Sequence, residues 1–270
     1  MPRLLCARYS RFPPVWSRHR SLAAGQEARI PKPKRISRPV MVQPSPEPAS
    51  TGPLTGQAED YLKAIYELEQ RGSAAGTNDI AARLGIAAAS VTGMVQRLHR
   101  LGLVRAERYR GARLTQGGRA AALQLIRRHR IIECYLVERL GFGWDDVHDE
   151  AERLEHGASD DLIARMAEAM GNPTEDPHGA PIPTAAGEVD ETRLPSIADL
   201  NDGETATVVR MSDRDPAFLR YLDELGVRPG ATVQVVSRAP FEGPITVRVG
   251  ATDHVVGTTA AEQVFVRTEP

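Results

Sequence analysis

Residues 77–104 read TNDIAARLGIAAASVTGMVQRLHRLGLV, and this stretch decides the fold of the N-terminal half of the chain. Thr77 or Asn78 can cap a short helix that ends at the turn-forming Gly85. A longer helix over residues 88–101 follows. Its apolar residues recur at helical spacing: Val91, Met94, Val95, Leu98 and Leu101. A short helix, a glycine turn and a longer helix that starts with small and hydroxylated residues are typical of a helix-turn-helix.

The flanking segments predict a winged helix. Residues 104–118 (VRAERYRGARLTQGG) indicate two short strands joined at Arg110-Gly111, which would form a β-wing. Residues 58–72 (AEDYLKAIYELEQRG) indicate an amphipathic helix with Asp60 in its first turn. This order of elements is that of a winged-helix DNA-binding domain.

The second helix of the motif has the chemistry of a DNA reader. Small residues at 87–89 allow close approach to a groove, and Ser90 and Thr92 can reach base edges or phosphates. We predict DNA contacts from Ser90, Thr92, Gly93, Gln96, Arg97, Arg100 and Arg110, with further phosphate contacts from Arg108 and Arg113. A winged helix that contacts protein is the alternative. Charge argues against it, since residues 78–130 carry eleven Lys and Arg and only two Asp and Glu.

Charge is divided unevenly along a chain whose net charge is −1. Residues 131–270 carry 27 Asp and Glu against eleven Lys and Arg. A basic block beside a strongly acidic one indicates a nucleic-acid surface joined to a part that binds cations.

Residues 1–54 are expected to be a disordered basic leader, rich in Arg, Pro and Ser. A transit peptide, an arm that contacts DNA phosphates and a leader without function all remain open. Cys6 lies in this leader, so a disulfide with Cys134 is not expected, and a reducing, cytoplasmic location fits. The chain has no apolar run long enough to cross a membrane, and no secretory signal is expected in it.

A long helix is expected from Arg119 to Gly141, after Gly117-Gly118 end the wing. One or two helices then follow up to about residue 171, with Ser159 as a cap. Apolar positions on these helices are Ala122, Leu125, Ile126, Ile132, Leu136, Leu140, Val147, Ala151 and Leu154. They offer more apolar surface than one small domain needs, which predicts a homodimer interface.

Beside this apolar stripe lie residues of the kinds that bind divalent metals. His129 and Glu133 are four apart, and a second group has the spacing i, i+4, i+7 and i+8 of one helix face: His148, Glu152, Glu155 and His156. A solvated polar face is the alternative. His178, in the Pro- and Gly-rich linker over residues 172–198, is interpreted as a satisfied loop histidine.

From Asp202 the apolar pattern alternates. Strands are predicted over residues 204–211, 232–239, 245–250 and 263–268, with one short helix over 216–226. A five-stranded SH3-like barrel is the natural closure for so short a β segment. The predicted fold is mainly α, in four parts: the leader (1–54), a winged helix (55–123), a helical metal-binding and dimerisation domain with its linker (124–194) and an SH3-like domain (195–270).

With these residues in hand, the chain resembles the diphtheria toxin repressor family of metal-dependent transcriptional regulators. The resemblance covers about residues 55–268 and rests on motifs in matching order: AEDYLKAIYELE, the winged helix, RRHRIIE, VHDEAERLEH followed by SD, and DPHGAPIP. The last domain is similar to the ferrous-transport accessory protein A (FeoA) domain. The resemblance implies homodimers that bind palindromic double-stranded operators when loaded with Fe(II) or Mn(II).

The resemblance also implies two metal sites. The primary site would contain Asp60, Glu152, Glu155 and His156. The second would contain His129, Glu133, His148 and Asp213, with Asp215 as the runner-up for the third-domain ligand. Iron-responsive members have Met and Cys where this chain has Asp60 and Glu152. Hard oxygen ligands move the preference toward Mn(II), although Co(II), Ni(II) or Zn(II) would bind at least as tightly in vitro.

Two departures from the family pattern matter. Lys63 stands where short manganese regulators have a bridging Glu, which favours two separated sites. Gly93 stands where the best-known iron member has Gln, so operator sequence does not carry over. The expected function is repression of manganese transport genes by a non-enzymatic regulator with no membrane or small-molecule substrate. An iron-responsive regulator, a metal-independent regulator and a metallohydrolase are the alternatives.

Overall fold

The computed structural model describes residues 54–70, 72, 74–107 and 111–268. These residues lie within one compact unit, Pro48–Pro270. The predicted leader lies outside the described residues except for Leu54, and so do Arg108 and Arg110 of the predicted wing.

Three helices and a two-stranded wing form the N-terminal part. They are α1 (Gly56–Glu69), α2 (Thr77–Leu84), α3 (Ala88–Arg100), β1 (Val104–Glu107) and β2 (Gly111–Leu114). Gly85 ends α2 in the left-handed region at φ 66°, which a glycine adopts without strain. Leu62 of α1 and Val91 and Leu98 of α3 are buried in a shared core. The predicted winged helix is confirmed.

Two helix starts differ from the predictions. The N-cap of α2 is Gly76, so Thr77 and Asn78 lie inside its first turn. Helix α4 (Gln116–Leu140) already contains Gly117 and Gly118, which were expected to end the wing. Thr115 caps α4 by accepting a hydrogen bond from Gly118 N at 3.1 Å. A glycine is needed at 118 because a Cβ would lie 1.9 Å from Leu103 O, so the wing packs against the helix start.

The helical part consists of α4, α5 (Val147–Glu155) and α6 (Asp160–Ala169). The Ser159 hydroxyl accepts from Leu162 N at 3.3 Å and caps α6, as predicted. Leu154, which was expected to point inward with Val147 and Ala151, is instead 42% exposed, and Leu140 of the predicted apolar stripe is 60% exposed. The core of this part contains Ile131, Ile132, Leu136, Val147, Ala151 and Ile163.

The C-terminal part is a small antiparallel barrel. Its elements are β3 (Thr205–Met211), α7 (Pro216–Glu224), β4 (Thr232–Arg238), β5 (Ile245–Val249), β6 (Thr252–Val256), α8 (Thr258–Ala261) and β7 (Val264–Thr268). The strand order is β6-β5-β4-β3-β7. Strand β6 and helix α8 were not named from the sequence, because the segment TDHVV has only two apolar residues and they are adjacent. The predicted fold class, mainly α with an SH3-like barrel, is confirmed.

The barrel contacts the helical part around Trp144. This side chain packs against the barrel core, and the guanidinium of Arg228 lies 4.8 Å from its ring centroid. The linker also joins the barrel, since His178 O accepts a hydrogen bond from Met211 N at 3.1 Å. Within the described part of the chain, no helix is both long and apolar enough to cross a membrane.

The close approach of the linker to β3 gives a test. Gly179 (φ +83°) and Gly187 (φ +80°) both lie in the linker, but only at Gly179 would a Cβ meet backbone, 1.9 Å from Val209 O. Gly187→Ala should therefore cost about 1 kcal/mol from its positive φ alone. Gly179→Ala should cost about 3 kcal/mol because the linker must also move off β3. Urea unfolding measures both losses, and equal losses would contradict this account of the docking.

Candidate metal centre

Three helices bring the predicted ligand side chains to one place. The four-residue spacing on α4 puts His129 and Glu133 on the same face, which is buried where α4 packs on α5. Helix α1, from the winged helix, adds Asp60. From α5 and its C-cap come His148, Glu152, Glu155 and His156.

The first group, here called the α4 cluster, consists of His129, Glu133, His148 and Asp213, whose ligand atoms lie within 4.8 Å of one another. Glu133 Oε1 is 2.9 Å from His129 Nε2 and 3.2 Å from His148 Nδ1. Asp213 follows strand β3, and its Oδ2 is 3.9 Å from His148 Nδ1. The runner-up, Asp215, instead caps α7 by accepting from Ala217 N at 2.8 Å. The barrel therefore contributes Asp213 to a group that is otherwise helical.

The second group, here called the α1 cluster, consists of Asp60, Glu155 and His156. His156 Nε2 lies 2.8 Å from Asp60 Oδ1 and 3.8 Å from Glu155 Oε1. The other ring nitrogen of His156, Nδ1, lies 2.7 Å from Glu59 Oε2, a residue that the sequence analysis did not single out. This cluster joins the winged helix to the C-terminal end of α5.

Lys63 lies between the two clusters. Its buried ammonium donates to Glu152 Oε1 at 2.6 Å and to Glu155 Oε2 at 3.1 Å, and lies 3.3 Å from His129 Nδ1. Glu152, predicted with Asp60 and His156, is not grouped with them: its carboxylate is turned toward Lys63. A long cationic side chain on the neighbouring helix attracts this half-exposed carboxylate, which the spacing along α5 does not reveal.

In the metal-free protein, the positive charges of protonated side chains offset the negative charges of the buried carboxylates. Burial opposes a charge on His129, but the Glu133 and Glu155 carboxylates together outweigh it and raise the pKa of His129 to about 10. Both ring nitrogens face carboxylates, Nε2 toward Glu133 and Nδ1 toward Glu155 at 2.6 Å, which suits the doubly protonated ring. Although burial also opposes its charge, Glu155 and Glu152 raise the pKa of Lys63.

The donor set fits a divalent cation. Glu133 Oε2 is buried and has no hydrogen-bond partner among the described residues, while the buried Asp60 Oδ1 has His156 Nε2 at 2.8 Å as an ion-pair contact without hydrogen-bond geometry. Burial raises the pKa of Asp60, although the neighbouring His156 opposes the shift. Carboxylate oxygens and imidazole nitrogens are ligands for hard to borderline divalent metals such as Mn(II) and Fe(II). A polar cavity of about 330 Å³, lined by Asp60, Lys63, His148 and Glu152 among others, connects the region to solvent.

Two further side chains of the region were missed or misread from the sequence. Asp176 is buried and lies 3.2 Å from Arg130 Nε. The interpretation of His178 as a satisfied loop histidine is wrong, because it is fully buried and its Nδ1 has no hydrogen-bond partner in the described structure. The linker folds back under α4, and linker composition gives no signal of that.

The predicted DNA-reading residues of α3 are exposed together. Every one of them that the structure describes is accessible: Ser90, Thr92, Gly93, Gln96, Arg97 and Arg100. Arg113 on the wing strand is exposed as well. Val91 and Leu98 on the opposite side of α3 are buried, so the helix presents a polar, basic face outward.

Comparison with sequence families covers three segments. Residues 53–112 match the iron dependent repressor N-terminal DNA binding domain, and residues 115–184 match the iron dependent repressor metal binding and dimerisation domain. Residues 196–268 match the FeoA domain.

Curated relatives and solved structures agree with these matches. The iron-dependent repressor IdeR of Mycobacterium tuberculosis is 36% identical over 194 residues, 67% of this chain and 84% of the relative. The diphtheria toxin repressor of Corynebacterium efficiens is 34% identical over 68% of this chain and 84% of its own length.

A structure described as a manganese-dependent transcriptional repressor in complex with manganese has a TM-score of 0.74 and 38% identity, over 78% of this chain and all of that one. The manganese regulator SloR has a TM-score of 0.69 and 29% identity, over 80% of this chain and all of that one. The chain therefore belongs to the diphtheria toxin repressor family of metal-dependent transcriptional repressors.

Proposed function

We propose that this protein is a manganese-dependent homodimeric repressor that binds palindromic operator DNA when its α1 and α4 clusters hold metal. One observation carries the proposal: Asp60 of the winged helix lies beside Glu155 and His156 of the helical part. A cation held there ties the DNA-reading unit to the helices that form the dimer. The spacing between two recognition helices then becomes fixed, as two half-sites one helical turn apart require.

The negative charge of the ligand carboxylates explains how a metal would change the population of domain arrangements. Asp60 lies near the carboxylates of Glu152 and Glu155, in a protein whose proposed partner is a polyanion. A divalent cation offsets their mutual repulsion and binds best to the arrangement that brings the ligands together. Operator affinity then rises by a shift in the population of domain arrangements.

Manganese is the favoured metal because the α1 cluster contains oxygen and nitrogen donors without sulfur. Its three members are two carboxylates and one imidazole, and Glu152 is the further carboxylate that can swing toward them from Lys63. Thiolate and thioether ligands would favour softer metals. Similar solved structures are described as manganese-dependent repressors, whereas curated relatives are described as iron-dependent, so Fe(II) is the second candidate.

Dimerisation is supported by the helical part. Leu140, Phe142, Leu154 and Leu162 are large apolar side chains that are at least 40% exposed. They lie on helices α4 to α6 or directly after α4, within the segment that matches a metal binding and dimerisation domain. Exposed apolar surface of this kind marks an interface. The inferred targets are manganese transport genes, and the inferred place of action is the cytoplasm, with the DNA.

Metal dependence is tested by measuring binding to a duplex selected from random-sequence DNA, with chelator, Mn(II) or anaerobic Fe(II). Mn(II) should raise affinity at least about tenfold, the size of a typical allosteric coupling. Asp60→Ala should abolish most of that gain because it removes the ligand from the winged helix. Asp202→Ala, in an exposed turn of the barrel, is the matched control and should keep the gain. Equally tight binding with chelator would refute the switch.

The role of α3 is tested with Arg97→Ala. Loss of one phosphate contact should weaken binding to all sequences alike and reduce the slope of log affinity against log salt by about one. Arg165→Ala, on the exposed surface of α6, serves as the control for loss of one positive charge. An unchanged slope for Arg97→Ala would remove this residue from the DNA-binding surface.

The position of Lys63 predicts opposite effects on the metal-free and metal-loaded protein. Lys63→Met leaves the buried Glu155 without its ammonium partner, and breaking a buried ion pair costs about 3–5 kcal/mol. The metal-free variant should thus unfold at a lower temperature, while Mn(II) should restore much of the loss by replacing the missing charge. Arg153→Met, which breaks an exposed i,i+3 pair with Glu150, should change little. An equal drop in unfolding temperature with and without Mn(II) would contradict the idea that the Lys63 ammonium supplies a charge that Mn(II) can replace.

A further inference from the structure

Two adjacent residues of α1 approach the two ring nitrogens of His156. Nε2 lies 2.8 Å from Asp60 Oδ1, within the α1 cluster. Nδ1 lies 2.7 Å from Glu59 Oε2, outside that cluster. An ionised carboxylate only accepts hydrogen bonds, so the hydrogen bond to Glu59 requires a proton on Nδ1. The neutral ring that makes this bond carries its lone pair on Nε2, the nitrogen that faces the α1 cluster.

The first turn of α1 also packs directly against the ring of His156. A Cβ at Gly56 would lie 3.0 Å from His156 Cγ, closer than the about 3.5–4.0 Å at which carbon atoms attract one another best. Gly56 and Glu59 are three residues apart, so they lie on one face of α1. The orientation of the ring therefore depends on the docking of the winged helix against the end of α5.

Glu59 is itself held in place by a second partner. Its Oε1 lies 3.7 Å from Arg128 Nη1 on α4. Arg128 is anchored in turn, since it donates to Asp160 Oδ1 through Nε at 3.1 Å and through Nη2 at 2.9 Å. Only 19% of the Glu59 side chain is exposed. A carboxylate that two partners hold at the edge of the interior is suited to fix the direction of a neighbouring ring.

We propose that Glu59 is a positioning residue for the metal ligand His156, and that it aims Nε2 at the cation of the α1 cluster by accepting a hydrogen bond from Nδ1–H. The inference rests on the proposed metal-binding function and adds to it a residue that does not touch the cation. A histidine that binds a metal commonly donates its other ring N–H to an oxygen acceptor, which fixes the ring and strengthens the ligand.

This role gives the winged helix two contributions to one metal site. Asp60 supplies a ligand, and Glu59, its neighbour on α1, orients a ligand that belongs to the helical part. Separation of α1 from the end of α5 removes both contributions at once. Cation binding at the α1 cluster therefore depends more strongly on the docked arrangement than the loss of one ligand alone would make it.

The affinity for Mn(II) tests the proposal, measured on the full chain from the EPR signal of free Mn(II) during a titration. The relevant ion is the one that Asp60→Ala loses. Glu59→Ala should weaken the binding of this ion by about 10–100-fold, the usual effect of removing such a partner. Glu262→Ala, at an exposed glutamate directly after α8, is the matched control and should bind as wild type does.

Two conservative variants separate the position of the carboxylate from its charge. Glu59→Gln loses the charge, but its amide oxygen can still accept from Nδ1–H, so the loss of affinity should stay below about tenfold. Glu59→Asp keeps the charge but places its carboxylate one methylene group farther from Nδ1. It should therefore bind the ion more weakly than Glu59→Gln does.

A measurement without metal shows whether Glu59 acts on the ligand or on the fold. Metal-free Glu59→Ala and Glu59→Gln should both unfold within about 4 °C of wild type, the most that loss of one partly exposed ion pair is expected to cause. A larger drop for Glu59→Gln, together with the loss of Mn(II) affinity, would show that Glu59 supports the fold and would overturn the proposal.

The other outcomes keep this inference apart from the proposed function. Wild-type affinity in Glu59→Ala, or a greater loss in Glu59→Gln than in Glu59→Asp, would overturn the positioning role and leave the metal-dependent repressor intact. Absence of Mn(II) binding by the wild-type protein would instead refute the metal-binding function itself. If Glu59→Ala does not fold, the order of Glu59→Gln and Glu59→Asp decides.

Discussion

The burial of carboxylates at the junction of α1, α4 and α5 is the constraint on which the rest of this structure depends. Glu133 and Glu155 are completely buried. A buried charge is expensive unless it is paired, and these carboxylates lie beside Lys63 and the imidazoles of His129 and His148. These partners come from different helices. The junction is therefore held together by the same groups that a metal ion would have to displace or rearrange.

This arrangement brings the first helix of the winged helix against the acidic residues of α5. Asp60 and Lys63 lie one turn apart on α1, and both face the acidic residues of α5. Lys63 neutralises Glu152 and Glu155, whereas the carboxylate of Asp60, whose Oδ1 is buried, is paired with His156 at 2.8 Å. Burial still raises the pKa of Asp60 despite this partner. In the proposed mechanism, a divalent cation would bind beside Asp60, where α1 meets the C-terminal end of α5.

The barrel contributes a side chain to the α4 cluster and packs against the helical part. Asp213 reaches the α4 cluster from the end of β3, and the linker places Asp176 and His178 beneath the same cluster. Trp144 packs against the barrel core beside Arg228, and its carbonyl oxygen lies 2.7 Å from His178 Nε2. The three parts of the chain therefore meet around one acidic centre, and its charge balance affects all of them.

The sequence by itself determined the elements and most of the ligand inventory. Periodicity of 3.6 or 2 residues is a local property, so the winged helix, the long α4 and four of the five barrel strands could be predicted from it. Family motifs added Asp60 and Asp213 to the ligand-type residues of α4 and α5. The tertiary structure alone decided which groups face each other: Glu152 turned toward Lys63, Glu59 beside His156, and Asp176 with His178 under α4. Those relations depend on side chains far apart in the chain and on charges that interact strongly only once burial has removed water from between them.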